Sequence, residues 1–158
     1  MTHTERHEAP VRLADRLAER APEREARRLC TWIRAAAGRP PLARDPALAA
    51  AASSRAQAVG AALGRALDAP DPWRAHTALL ESRRALLELR ALLYIGLNEG
   101  ALHKVQFDLL SAQAGRAARS LAAVEERARV LCRASRRPPV PGNDSSRGRR
   151  EGGSTCPT

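Results

Sequence analysis

The last third of the sequence carries the most regular alternation of apolar and polar positions. Between residues 107 and 131 apolar side chains recur at spacings of three and four, which is the period of one face of an α-helix. The positions are Phe107, Leu110, Ala114, Ala117, Leu121, Val124, Ala128 and Leu131. A seam that repeats over three heptads is typical of a bundle or coiled coil. The pattern therefore predicts a long final helix with one face in a core.

Proline, aspartate and glycine divide the preceding residues into further helical segments. Helices are predicted over about 10–20, 22–37, 46–67 and 72–97. Each begins at a proline in its first turn, where the missing N–H costs nothing. Asp45 and Asp71 stand before two of these prolines and are good N-caps. The Asn-Glu-Gly stretch that ends at Gly100 predicts a helix stop with the glycine in the left-handed conformation.

These segments predict an all-α protein, an antiparallel four-helix bundle whose first helix is kinked or split at Pro22. The short break near Gly100 makes the last two helices antiparallel neighbours. The bundle is assigned to residues 10–135, with a flexible N-terminus over 1–9. Residues 136–158 are too poor in apolar side chains to fold, so we expect a disordered basic C-terminal tail.

The helix predicted over 72–97 is apolar nearly all round in its second half, which is typical of a helix that faces both a core and a second subunit. We therefore expect a homo-oligomer in which at least one of four leucines is buried between subunits. The four are Leu89, Leu92, Leu93 and Leu97.

Charge is the first indication of function. The chain has 27 basic residues, of which only Lys104 is a lysine, against 17 acidic ones, and its net charge is +10. Residues 1–135 alone keep a net charge of +7. Such an excess favours contact with a polyanion, either nucleic acid or an acidic partner surface. The sequence shows no membrane-spanning run and no signal segment, so we expect a soluble, cytoplasmic protein.

Eight arginines on two of the predicted helices are the candidate nucleic-acid-binding residues. They are Arg24, Arg27, Arg28, Arg34, Arg116, Arg119, Arg129 and Arg133. A merely solvated surface is the alternative interpretation of each single residue. Because aromatic residues make up only 3% of the chain, base stacking is not expected to be the main mode of binding. The arginines would bind the RNA or DNA backbone through its phosphates.

Residues suited to catalysis are scarce. The four histidines stand at no useful spacing from Asp, Glu or Cys, and the three cysteines form neither a CxxC pair nor a zinc pattern. The sequence also lacks a glycine-rich phosphate loop, a GxSxG motif and the Glu-x-x-His repeats of a helical di-metal site. We therefore expect a protein that is not an enzyme and uses no metal or cofactor.

The segment from 76 to 124 resembles the second half of a family of small four-helix bundle proteins. The similarity lies in a leucine-rich helix containing Leu86-Leu87-Glu88-Leu89-Arg90, a short turn, and a returning helix with Gln106 and the pair Gly115-Arg116. Upstream, Ala21-Pro22-Glu23 resembles the family's proline break. The family includes the accessory variability determinant of diversity-generating retroelements and the ribosomal-RNA intervening-sequence bundle proteins.

The resemblance implies a homopentameric barrel of bundles with a basic surface. In retroelements such a barrel binds nucleic acid and docks onto a reverse transcriptase to support mutagenic complementary-DNA synthesis. The function expected first is therefore that of an accessory nucleic-acid-binding protein of a reverse transcriptase. The alternative is a helical-bundle scaffold whose basic surface binds an acidic protein and no nucleic acid.

Overall fold

The computed structural model describes residues 21–135, and all its long elements are helices. Helix α1 spans Ala21–Ala37, α2 spans Pro46–Leu67, α3 spans Pro72–Asn98 and α4 spans Lys104–Ser135, with a 3₁₀ turn at Leu42–Arg44 between α1 and α2. The predicted boundaries of α2 and α3 are thus confirmed to within one residue. The helix predicted over 10–20 and the tail over 136–158 lie outside the described residues, as does the segment that a kink at Pro22 would join to α1.

The predicted caps position the helix ends. The Asp45 carboxylate accepts a 2.9 Å hydrogen bond from the Leu48 backbone N–H and so caps α2. The Asp71 carboxylate accepts from two backbone N–H groups in the first turn of α3. At the other end of α3, Gly100 has a φ of +74°, the left-handed conformation that the sequence predicted.

Each helix packs against two neighbours, so the four helices form a ring. Helix α1 contacts α2 and α4, and α3 also contacts α2 and α4, which places α1 and α3 diagonally opposite. The architecture is therefore the predicted all-α antiparallel four-helix bundle. The seam of α4 lies in its core: every seam position from Phe107 to Ala128 is buried, and Leu131 is half-buried against the core.

Small residues bring α2 close to its neighbours. Ala52, Ala56 and Ala66 of α2 are buried. The Cys30 thiol of α1 donates a 3.0 Å hydrogen bond to the Ala56 carbonyl oxygen, and the buried Ser82 hydroxyl of α3 donates a 2.9 Å bond to a carbonyl oxygen of α2. Close packing thus satisfies polar groups between helices.

The structure corrects part of the interface prediction. Leu89 and Leu93 have 0% and 1% of their surface exposed because they point into the core of their own chain, so no surface is left to contact a second subunit. Leu92 and Leu97 are half-buried against the core, and their contact with a second subunit stays a prediction. The large apolar side chains that α3 exposes after its first turn are others: Leu80, Leu87, Tyr94 and Ile95.

Within residues 21–135 no helix is long and apolar enough to cross a lipid bilayer.

Candidate nucleic-acid interface

The positive charge of the bundle is concentrated in two neighbouring helices, α1 and α4, and in the loop that follows α1. Residues 21–135 carry 18 basic and 11 acidic side chains, a net charge of +7. Helix α1 with the loop that follows it, residues 21–45, contributes +3, and α4 contributes another +3. The intervening residues 46–103, which include α2 and α3, contribute only +1. Because α1 and α4 are neighbours in the ring, their charges lie on adjoining surfaces.

Ion pairs sharpen this difference. On α2 and α3, five of six arginines are paired with carboxylates of these helices, of the cap of α3 or of α4: Arg55, Arg65, Arg74, Arg83 and Arg84. In the described part of the chain, eight basic residues have no carboxylate partner. Seven of the eight belong to α1, the following loop and α4: Arg24, Arg34, Arg39, Arg44, Arg119, Arg127 and Arg133. The uncompensated charge therefore lies where the net charge does.

We define the cationic face as six arginines that flank the junction of α1 and α4: Arg24, Arg27, Arg28, Arg116, Arg119 and Arg127. Two depressions mark this surface. One, of about 260 Å³, runs between the start of α1 at Ala21 and Pro22 and the part of α4 that carries Arg119 and Arg127. The other, of about 420 Å³, lies along α1, where its described lining includes Arg24, Arg27, Arg28 and Trp32.

A buried glutamine ties the two helices together beneath this face. Gln113 of α4 has no exposed surface, and its amide nitrogen donates a 2.9 Å hydrogen bond to the Glu25 carboxylate of α1. Its amide oxygen accepts hydrogen bonds from the guanidinium of Arg116. Arg116 also lies 3.9 Å from Glu25 and 5.8 Å from the ring centroid of Trp32. The side chain of Arg116 is therefore fixed across the junction.

The cationic face includes five of the eight arginines predicted to bind nucleic acid. Arg27 and Arg28 lie on it but form exposed ion pairs with Glu23 and Glu25 one turn away. Exposed pairs of this kind contribute little and are easily exchanged for a phosphate. Arg24 and Arg119 are exposed and have no carboxylate partner among the described residues.

Two of the other three predicted arginines lie on another side of the bundle, and the third lies at the edge of the cationic face. Arg129 is half-buried and pairs with Glu125 and Glu126, and since Glu125 also pairs with Arg83 of α3, Arg129 faces α3 and not α1. Arg133 follows Arg129 by one helical turn and so shares its side of α4. Arg34 follows Cys30, which contacts α2, by four residues and Arg27 by seven, so it lies at the edge of the cationic face that is nearer α2. The predicted arginines of α4 are thus divided between two sides of that helix.

Sequence reasoning missed Arg127, Trp32 and Gln113. Arg127 follows Arg116 by eleven residues, three turns of helix, and this spacing alone could have placed both on one side. Trp32 follows Arg28 by four residues, so its place among the arginines was also readable. Nothing local indicates that Gln113 is buried, because it stands beside the apolar seam and only the packing of α1 covers it.

The described residues provide no set of three His, Cys, Asp or Glu side chains that could hold a metal ion. Two cysteines lie within the described residues: Cys132 is buried, and Cys30 is half-buried between α1 and α2. Burial raises the pKa of the Cys30 thiol above its ordinary value of 9.0, and the positive charge of Arg34 lowers it in part.

Comparison with known proteins gave no match to any family model, curated protein or solved structure.

Proposed function

We propose that the protein is a non-enzymatic accessory protein that binds nucleic acid through the cationic face. The observation that carries this proposal is the separation of charge, in which +6 of the net +7 of residues 21–135 belongs to α1, its following loop and α4. Seven of the eight basic residues without a carboxylate partner among the described residues belong to these elements, and three of the seven, Arg24, Arg119 and Arg127, lie on the cationic face. A polyanion would bind where these arginines lie, because each of them can take the place of a counterion at a phosphate.

The second part of the proposal concerns the partner enzyme and the assembly. The similarity of the α3–α4 hairpin to the accessory bundle proteins of diversity-generating retroelements favours a reverse transcriptase as the enzyme that is assisted. It also favours a homo-oligomer, for which the exposed apolar side chains of α3 are available. The cationic faces of several subunits would then act together on one strand.

A matched pair of triple variants tests the proposal. R24A/R119A/R127A removes three arginines of the cationic face that have no carboxylate partner within residues 21–135, whereas R55A/R65A/R74A removes three paired ones from α2 and α3, with the same change in net charge. We expect the first to weaken binding of nuclease-cleaned protein to labelled RNA and DNA by about 100-fold at low salt, and the second by less than about tenfold. Wild-type affinity should itself fall about 100-fold between 50 and 200 mM salt if about five phosphates are contacted.

Three results would overturn the proposal. They are an affinity that is flat with salt, equal losses in the two triple variants, and no binding to either nucleic acid at low salt. A single protein partner that survives nuclease treatment, combined with absent nucleic-acid binding, would identify the acidic-protein scaffold instead.

A further inference from the structure

The cationic face contains one aromatic side chain among the residues that the structure describes. Trp32 lies on α1 one turn after Arg28, and 38% of its surface is exposed. The other aromatic side chains of residues 21–135 belong to α3 and to the first turn of α4, at Trp73, Tyr94 and Phe107. An indole that is partly exposed among arginines is costly to hydrate, so a flat apolar ligand can bind to it favourably.

The surroundings of Trp32 are fixed. The guanidinium carbon of Arg116 lies 5.8 Å from the ring centroid, within the range of a cation–π contact. Arg116 is itself held by the buried amide oxygen of Gln113 and by Glu25. An arginine that is anchored by two groups does not need to be ordered again when a ligand binds, so the entropic cost of binding at this ring is low.

Space and charge beside the ring suit a nucleotide. Trp32 lines the depression of about 420 Å³ together with Arg24, Arg27 and Arg28. A base seated there would have the indole for its ring and the arginines for the phosphates on either side. This combination of a cationic track with an aromatic stacking surface is how proteins bind single strands without reading sequence.

We propose that Trp32, held beside Arg116, is a base-stacking platform, so that the protein prefers single-stranded nucleic acid to a duplex. This inference rests on the proposed function, since it assigns the class of nucleic acid to the same face. Phosphates are present in both forms, but in a duplex the faces of the bases are covered by their neighbours and cannot reach the indole. The preference therefore comes from Trp32, whereas the salt dependence comes from the arginines.

Affinity measurements on matched variants separate these contributions. We expect W32A to weaken binding of oligo(U) and oligo(dT) by about 5- to 150-fold, the loss associated with one stacked base, and to change duplex binding by less than about twofold. W32F should recover most of the loss because phenylalanine keeps a stacking surface. W73A, which removes the other tryptophan, of α3, is the control and should leave single-strand binding unchanged. The slope of affinity against salt should stay the same in W32A, because no phosphate contact is lost.

Two further measurements guard against misfolding and against a purely structural role. Circular dichroism should show equal helicity for W32A, W32F and wild type. R116K keeps the charge but removes the planar guanidinium, so it should lower single-strand binding and leave duplex binding within about twofold. In W73F, where Trp32 is the remaining tryptophan, saturating oligo(dT) or oligo(U) should quench the indole fluorescence.

The possible outcomes are distinct. Losses confined to single strands, whether of RNA, DNA or both, support the platform, and the two homopolymers show which sugar is accepted. Salt-dependent binding that is equal for single strands and duplex and unaffected by W32A would overturn this inference while the proposed function stands. Absence of binding to any nucleic acid at low salt would overturn both.

Discussion

Gly96 of α3 passes so close to Leu48 of α2 that a Cβ atom at residue 96 would lie 3.1 Å from the Cδ2 atom of Leu48. The same Cβ would lie 3.1 Å from the Cδ1 atom of Leu102, a buried residue just beyond the turn at Gly100. This glycine therefore sets the distance between α2 and α3 at the hairpin end of the bundle.

Substitution of Gly96 tests that close approach. Alanine improves helix propensity by about 1 kcal/mol at any interior helical position, but at residue 96 overpacking costs about 1–3 kcal/mol. Gly64 of α2 is the matched control, because a Cβ there would meet nothing within 4 Å. We expect the free energy of unfolding of G96A to lie about 1–3 kcal/mol below that of G64A in urea denaturation. Equal stability of the two variants would contradict the packing described.

Arg127 and Arg129 lie on the same helix, and we expect the first to contribute to nucleic-acid binding and the second to stability. R127A should weaken binding of a labelled single strand and lower the slope of log affinity against log salt by about 0.7, with unfolding free energy unchanged within about 0.5 kcal/mol. R129A should leave the slope unchanged but cost about 1 kcal/mol of stability, since buried Glu125 would keep only Arg83, 3.4 Å away. An equal change of slope in both variants would show that the cationic face is wrongly bounded.

Leu87 lies on the outer surface of α3, and Leu89 lies on the side that faces the core. Leu87 is 55% exposed and Leu89 is fully buried. We expect L89A to lower the free energy of unfolding of a single bundle by about 2–5 kcal/mol, and L87A to change that of a single bundle by less than about 0.5 kcal/mol. If the proposed homo-oligomer forms through the exposed face of α3, L87E should sediment as a smaller species with unchanged helicity. A wild-type chain that sediments as a monomer at micromolar concentration would remove the oligomer from the proposal.

The raised pKa of Cys30 predicts that the stability of the protein depends on pH. Because burial raises its pKa in the folded chain, the unfolded chain loses this proton first as the pH rises through the ordinary value of 9.0. Deprotonation then stabilises the unfolded state more than the folded state, so the free energy of unfolding falls at alkaline pH. We expect the fall between about pH 8 and about pH 10 to be smaller in C30A than in wild type, as measured by urea denaturation. Equal falls would contradict a raised pKa.

The fold could be predicted from the sequence because its signals are local and agree with one another. Asp45 and Asp71 cap helices that prolines begin, Gly100 allows a left-handed turn, and the seam of α4 repeats regularly. The assignment of Leu89 and Leu93 failed for a physical reason. An apolar sequence on all sides of a helix does not indicate which side meets the core, and the neighbouring helices decide this.

The candidate site was less accessible to sequence reasoning. Whether an arginine is free depends on carboxylates far away in the chain, as with Arg83 and Glu125, which are separated by 42 residues. Gln113 is buried because α1 packs over it, and its hydrogen-bond partner on α1, Glu25, lies 88 residues earlier in the chain. Charge counting found the excess of arginine, but pairing across helices determined where that excess lies.

The diagonal placement of α1 and α3 puts the outer surfaces of these two helices on opposite sides of the bundle. Arg24 projects from α1 and Leu87 from α3, on opposite sides of a ring in which these helices are not packed neighbours. A strand bound along α1 and the adjoining surface of α4 would thus leave the apolar side of α3 unoccupied, so that one bundle could hold nucleic acid and a second molecule at the same time.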